Sequence, residues 1–238
     1  MIYYEYTFYP LFIISIIFSI WAQFKVNSTY NRYSSFVTKA GMNATDIARM
    51  MLSEAGLTNV NIGRVRGNLT DHFDPKSNTL ALSDTTFASY SAAAIGVAAH
   101  EAGHAIQHAE GYFPIKLRSA LVPVTGFASK TSFIFIILGG LFAMFSADGI
   151  LGYNILLAGI GLFAVTTLFQ LVTLPCEFNA SRRAMTALRA SGRFSEDELF
   201  AARNVLFAAA MTYVAASFAS IVQLLRLLLI FGNRRGRR

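Results

Sequence analysis

Charged residues are scarce in this chain of 238 residues. They make up 14% of the sequence, whereas an ordinary soluble domain has about 25%. A soluble globule of this size could not cover its surface with so few charges, and the 54% hydrophobic content excludes intrinsic disorder. A single cysteine, Cys176, excludes an internal disulfide framework and a metal cluster built from cysteines.

Four long runs without a charged residue predict a mainly α-helical, polytopic membrane protein. Residues 6–24 form a run of about the length that crosses a hydrocarbon core of ~30 Å. Glu5 rather than a basic residue precedes this run and no small-residue cleavage site follows it, which favours an anchor over a signal peptide. The other predicted transmembrane helices are 131–147, 149–174 and 204–231, the last of them either a full span or a partly inserted helix.

Two polar segments, 25–121 and 175–203, separate these runs, and four complete spans would place both on one side of the membrane. They hold 14 of the 20 Lys and Arg residues. The positive-inside rule therefore puts both in the cytoplasm, beneath the plasma or inner membrane. Asp148-Gly149 is a strong turn signal between the second and third helices. The basic tail at 232–238 conflicts with this topology, because four spans would send it outside.

The first polar segment predicts a small cytoplasmic α+β part. Helical spacing of apolar residues runs from Met42 to Ala55. Val60–Val65 and Thr79–Ser83 have the composition of short strands around a turn. The alanine-rich stretch from Thr86 to Ala109 is best interpreted as one helix, and its charged residues argue against a membrane span.

His100-Glu101-Ala102-Gly103-His104 is an H-E-x-x-H motif on that predicted helix. Residues i and i+4 project from the same helix face, so the two imidazoles can hold one Zn²⁺ ion. Zinc lowers the pKa of a bound water towards ~7, and Glu101 is placed to take the proton from that water. Two of the four histidines fall in this motif, within a helix of small apolar residues. We predict one catalytic zinc ion per chain.

A catalytic zinc needs a third protein ligand. His108 lies on the order of 12 Å further along a straight helix than His100, too far to share the ion. Glu110 falls where the longer H-E-x-x-H-x-x-G-x-x-H pattern has its third histidine, but Gln107 stands where that pattern has glycine. Glu177, just past the third run, remains as a candidate, and an ordinary interfacial carboxylate fits its position equally well.

Three segments resemble the YugP-type membrane neutral zinc metallopeptidases, relatives of the HtpX-like membrane proteases in the gluzincin group. HEAGHAIQHAEGY at His100–Tyr112 is similar to the HExGHAIQ helix of that family. LTDHFDPKSNTLALS at Leu69–Ser83 resembles the segment before that helix. LPCEFNASRRA at Leu174–Ala184 resembles the family's LPVEFDASRRA segment. The resemblance extends over nearly the whole chain, including its four apolar runs.

The resemblance implies that Glu177 is the third zinc ligand, because it matches the glutamate of the LPVEFDASRRA segment. Asn179 departs from this pattern, since the family has aspartate there. We expect Asn179 and Ser181 to lie beside the ligands, where an asparagine can hydrogen-bond without adding a charge.

Substrate contacts are predicted on the strand Thr79–Ser83, by analogy with the edge strand of zinc peptidases. An extended peptide can add to an exposed strand edge through main-chain hydrogen bonds, although a plain structural strand fits the pattern as well. The residues concerned are Thr79, Leu80, Ala81 and Leu82. An oxyanion stabiliser is also expected beside the metal. Its candidates are His72, Tyr213 and Arg182.

The sequence therefore predicts a zinc-dependent endopeptidase that cleaves membrane-associated or misfolded proteins. A membrane scaffold or regulatory subunit with a structural metal site is the alternative, as is a metal-dependent hydrolase of another type. Glu101 argues against the scaffold, because a structural site needs no general base. Expected partners are protein or peptide substrates and the lipid bilayer, and nothing beyond the net charge of +7 indicates nucleic-acid binding. A membrane-protein partner or a homo-oligomer stays open.

Overall fold

The computed structural model describes residues 2–145 and 149–232, and this part of the chain is mainly α-helical. Its helices are α1 (Ile2–Ser34), α2 (Ala44–Glu54), α3 (Ala92–Ala109), α4 (Phe113–Phe145), α5 (Ile150–Ala190) and α6 (Glu196–Gly232). Its strands are β1 (Asn61–Val65), β2 (His72–Asp74) and β3 (Thr79–Ser83). Within the described residues, α1, α4, α5 and α6 are long and apolar enough to cross a membrane. The predicted mainly α-helical fold with four apolar helices is confirmed.

The long helices extend well beyond the predicted spans. At 41 residues, α5 is about 60 Å long, twice the thickness of a hydrocarbon core. It continues through Pro175 and includes the first half of the predicted polar segment 175–203. Gly149 adopts a positive φ of 63° just before α5, whereas Asp148 of the predicted turn lies outside the described residues, as do positions 233–238 of the basic tail.

The chain divides into two compact units. The first, called here the site unit, comprises Trp21–Lys116 and Pro175–Thr212. The second, called the helix unit, comprises the described parts of Met1–Ile20, Leu117–Leu174 and Tyr213–Arg238.

The sheet of the site unit has the order β1-β3-β2. β3 pairs in parallel with β1 and antiparallel with β2, so it is the central strand. The predicted edge position of Thr79–Ser83 is therefore wrong. Thr79, Leu80 and Ala81 pair with both neighbouring strands and so have no free edge for a peptide, whereas Leu82 pairs with β1 alone among these strands. A substrate contact at Thr79, Leu80, Ala81 or Leu82 therefore remains a prediction. The prediction of an edge strand failed because it overlooked β2, which lies between the two predicted strands.

The helix α3 begins at Ala92, six residues later than predicted. Ser91 caps it, and its side-chain oxygen accepts a hydrogen bond from the N–H of Ala94. The preceding residues form a turn in which the N–H groups of Thr86 and Phe87 both bond to the carbonyl of Ser83. The helix thus starts where a side chain can satisfy its first free N–H groups.

Small residues let α3 approach α5 closely in the site unit. Ala98, Ala99 and Ala102 are fully buried in a core that also contains Leu80 and Leu82 of β3. A Cβ atom on Gly103 would lie only 2.8 Å from the carbonyl oxygen of Ala180. Gly103 therefore brings the histidine-bearing turn of α3 directly against α5.

The helix unit packs differently. Gly139 of α4 lies against the backbone of Leu156, and Gly152 of α5 lies against the backbone of Ala143, each leaving no room for a Cβ atom. Large apolar side chains of this unit point outward, including Ile17, Phe133, Phe142, Met144 and Phe145. This arrangement is typical of helices that contact each other through small residues and meet lipid with large ones.

Candidate metal centre

His100 and His104 from α3 converge with Glu177 from α5. The Oε2 atom of Glu177 lies 3.2 Å from Nε2 of His100 and 3.6 Å from Nε2 of His104. The two imidazole rings are nearly perpendicular, with centroids 4.7 Å apart. One ligand atom from each residue falls within 4.8 Å of the others. The structure thus brings together the three side chains predicted as ligands.

The chemistry of these donors fits zinc. Two imidazole nitrogens and one carboxylate oxygen form a ligand set used by catalytic zinc sites, which keep a further position for water or substrate. His104 and Glu177 are buried and His100 is partly buried. Ionisable groups buried this deeply require a charged partner or a cation. The cluster can therefore hold a metal ion.

Glu101 is partly exposed beside this cluster. Its negative charge acts on His104 and favours the protonated imidazole. In the part of the chain that the structure describes, the Glu101 carboxylate has neither a hydrogen bond nor an ion pair. It is thus chemically free to accept a proton near the three donor atoms.

The pKa of His104 is held above its ordinary value. Burial acts first and in the opposite direction, because it disfavours the charged imidazolium. The negative charges of the Glu177 and Glu101 carboxylates outweigh burial and raise the pKa. The cluster therefore has a net negative character that suits a cation.

Gln107, which the sequence interpretation treated only as a missing glycine, lies directly behind His104. Its Oε1 atom is 2.9 Å from Nδ1 of His104. Its Nε2 atom donates to the carbonyl of Cys176 at 2.8 Å and to Oδ1 of Asn179 at 2.9 Å. Its position three residues after His104, on the same face of an alanine-rich helix, was the signal that could have identified it.

The two residues expected beside the ligands lie on α5 near them. The hydroxyl of Ser181 is 3.1 Å from Nδ1 of His100. Oδ1 of Asn179 accepts a second hydrogen bond, from Nε of Arg183 at 2.8 Å. Each residue contacts either a predicted ligand or the glutamine that bonds to one.

The two alternative ligands considered for the third position have other partners. Glu110 forms two hydrogen bonds with the guanidinium of Arg183, at 2.9 and 2.5 Å. These bonds lower the pKa of the Glu110 carboxyl. The ring of His108 lies 5.6 Å from the ring of Phe73 in β2. Neither residue belongs to the cluster of three donors.

The three oxyanion candidates are not among the donors of this cluster. His72 is exposed in β2, where its Nδ1–H donates to the carbonyl of Thr70 at 2.9 Å. Arg182 is exposed on α5, and Tyr213 belongs to the helix unit. A role for any of the three remains a prediction.

Comparisons with known proteins agree with this geometry. A family described as "Putative neutral zinc metallopeptidase" matches residues 8–232. The chain is 42% identical over 218 residues to a Bacillus subtilis (strain 168) protein named "Putative membrane protease YugP". The match covers 91% of this chain and 93% of that relative. No solved structure gives a significant match.

Proposed function

Because this chain belongs to the neutral zinc metallopeptidase family, we propose that it is a membrane-embedded zinc endopeptidase of the gluzincin type. The proposed ligands are His100, His104 and Glu177, and the proposed general base is Glu101. The observation that carries the proposal is the convergence of two imidazoles and a buried carboxylate beside a second carboxylate that has no hydrogen bond within the described residues.

A zinc ion held by the three ligands would supply Lewis-acid chemistry, polarising a peptide carbonyl and acidifying a water molecule. Glu101 takes the proton of this water as the water oxygen adds to the carbonyl carbon. It then passes the proton to the amide nitrogen, and the C–N bond breaks to release an amine. A metal site with a purely structural role would leave Glu101 without a function.

We assign the peptide-binding edge to β2 instead of β3. β2 is an outer strand of the sheet. Its Phe73 packs against His108, one turn beyond His104 on the metal-binding helix. A substrate paired with the free edge of β2 would thus be held alongside α3 by main-chain hydrogen bonds.

The proposed substrates are membrane-associated or misfolded proteins at the cytoplasmic face of the plasma or inner membrane. Four apolar helices within the described residues support the membrane location. The concentration of Lys and Arg in the segments that form the site unit supports the cytoplasmic side.

The test is Glu101→Gln in the full-length protein, purified in detergent and assayed on casein and on a membrane-protein substrate. We expect cleavage to fall about 10²–10⁴-fold, the usual contribution of a general base. Zinc content, measured by mass spectrometry of the metal, should stay at one ion per chain, since Glu101 is not a proposed ligand. Glu110→Gln makes the same chemical change beyond the cluster and should preserve cleavage. Cleavage that survives in Glu101→Gln would refute the proposed mechanism.

A further inference from the structure

Gln107 is the least exposed polar side chain around the metal centre, with a relative exposure of 0%. A buried amide has one acceptor oxygen and two N–H donors, and each needs a partner. Gln107 satisfies all three within the site unit: His104 on one side, and Cys176 and Asn179 of α5 on the other. Its amide group is therefore held by three separate contacts.

The partners determine which way this amide points. The carbonyl oxygen of Cys176 can only accept a hydrogen bond, so it must face the NH₂ group of Gln107. Asn179 also presents an oxygen, because the Nε–H of Arg183 donates to that same Oδ1 atom. The carbonyl oxygen of Gln107 is left facing Nδ1 of His104, and Nδ1 must then carry a hydrogen.

We infer that Gln107 is a positioning residue that sets the tautomer of His104, an inference that rests on the proposed zinc site. With its hydrogen on Nδ1, the neutral imidazole has its lone pair on Nε2, the nitrogen that faces Glu177. This is the form that can bind a metal ion at that position. A ligand preset in this way loses no free energy to a change of tautomer when the ion binds.

The two histidines differ in the partner that their Nδ1 atoms face. Nδ1 of His100 faces the hydroxyl of Ser181, which can either donate or accept a hydrogen bond. The Ser181 contact by itself is compatible with both tautomers of His100, whose Nε2 lies 3.2 Å from Oε2 of Glu177, whereas the Gln107 contact is compatible with only one neutral tautomer of His104. The contacts that fix the orientation of Gln107 run from His104 through Gln107 and Asn179 to Arg183.

The tautomer can be measured directly. The full-length protein, labelled with ¹⁵N-histidine and stripped of metal with a chelator, is studied by solid-state NMR in lipid at a pH where the imidazoles are neutral. There are four histidines, so subtraction of the His104→Ala spectrum assigns the signals of His104. We expect a protonated Nδ1 and an unprotonated Nε2.

Two substitutions at Gln107 separate the tautomer effect from packing. Gln107→Leu removes the acceptor, and we expect His104 to populate both tautomers and the zinc affinity to fall about 10–100-fold in chelator competition. Gln107→Glu keeps an acceptor towards Nδ1 but loses the amide donors to α5. We expect it to retain the Nδ1–H tautomer and most of the zinc affinity, even if its melting temperature falls.

Glu110→Gln is the matched control, because Glu110 bonds to the Arg183 guanidinium at the surface and contacts neither Gln107 nor His104, so it should leave the tautomer unchanged. A wild-type His104 protonated on Nε2 would overturn the inference. So would a Gln107→Leu protein that folds with unchanged tautomer and zinc affinity, or an equal loss of affinity in Gln107→Leu and Gln107→Glu. None of these readouts depends on cleavage, so failure of the proposed peptidase activity would be seen separately, in Glu101→Gln.

Discussion

Two buried glutamine oxygens show how the site unit and the helix unit differ. The oxygen of Gln107 faces His104, and its amide nitrogen bonds to two oxygens of α5. The oxygen of Gln223, on α6 in the helix unit, is buried but has no hydrogen-bond partner among the described residues. The amide of Gln107 is thus held in one arrangement, whereas that of Gln223 has a buried oxygen that no described contact orients.

The two units also differ in where their large apolar side chains lie. Leu80 and Leu82 of the site unit are 0% exposed, whereas Phe133 and Phe145 of the helix unit are 67% and 83% exposed. Burial in the site unit removes apolar surface from water. In the helix unit the surroundings are lipid tails, as apolar as the side chains themselves, and glycines provide the close contacts. The same residue type therefore has a different energetic role in each unit.

Among the tests of this contrast, truncation of one large side chain in each unit should give the largest difference in the free energy of unfolding. Leu82→Ala leaves a cavity in the packed core, and we expect the free energy of unfolding to fall by about 2–5 kcal/mol. Phe133→Ala removes a side chain that meets lipid in both the folded state and the inserted but unpacked state, so its effect should stay below about 1 kcal/mol. Chemical denaturation in mixed micelles measures both, and equal losses would contradict the contrast between the units.

The same substitution at the two glutamines should shift stability in opposite directions. Gln107→Leu leaves the partners of a buried amide unsatisfied, at a cost of about 1–3 kcal/mol. Gln223→Leu removes a buried acceptor that has no partner among the described residues, so we expect a gain of up to about 1 kcal/mol. Thermal unfolding of the two variants beside wild type gives the comparison. Destabilisation by Gln223→Leu would indicate that this oxygen does have a partner in the membrane.

Acidification should have the smallest effect, through the ion pair of Glu110 and Arg183. The bonds to Arg183 lower the pKa of Glu110 below the ordinary 4.5. The pair therefore stabilises the fold above pH 4.5, and this contribution disappears as the pH falls through the lowered pKa. Because the Glu110 side chain is 54% exposed, we expect less than about 1 kcal/mol. The stability difference between wild type and Glu110→Gln should vanish in acid; a difference that stays constant with pH would exclude this ion pair as its source.

Local patterns predicted the parts of the molecule that depend on neighbours along the chain. Uncharged runs gave four helices, and the spacing of His100 and His104 placed both imidazoles on one face of α3. Two local predictions failed. The helix α3 begins at Ala92 because Ser91 caps it, and β3 lies inside the sheet because β2 pairs with its second side.

The candidate metal centre combines both kinds of information. The spacing of residues alone fitted a ligand and an interfacial carboxylate equally well at Glu177, and the resemblance to the family implied that it is a ligand. The approach of α3 to α5 then placed its oxygen 3.2 Å from His100. Gln107 was missed because nothing in its own segment shows that a carbonyl of Cys176 and an oxygen of Asn179 face it.

The scarcity of charge and the H-E-x-x-H motif determined by themselves that this chain is a membrane protein with two histidines able to share a metal ion. These properties follow from hydropathy and helical periodicity, which act within a few turns of helix. Only the tertiary structure decided which strands lie at the edges of the sheet and that the oxygen of Gln107 faces Nδ1 of His104. The orientation of Gln107 depends on hydrogen bonds to residues about 70 positions away, and such bonds exist only once Gly103 and its small neighbours allow the two helices to meet.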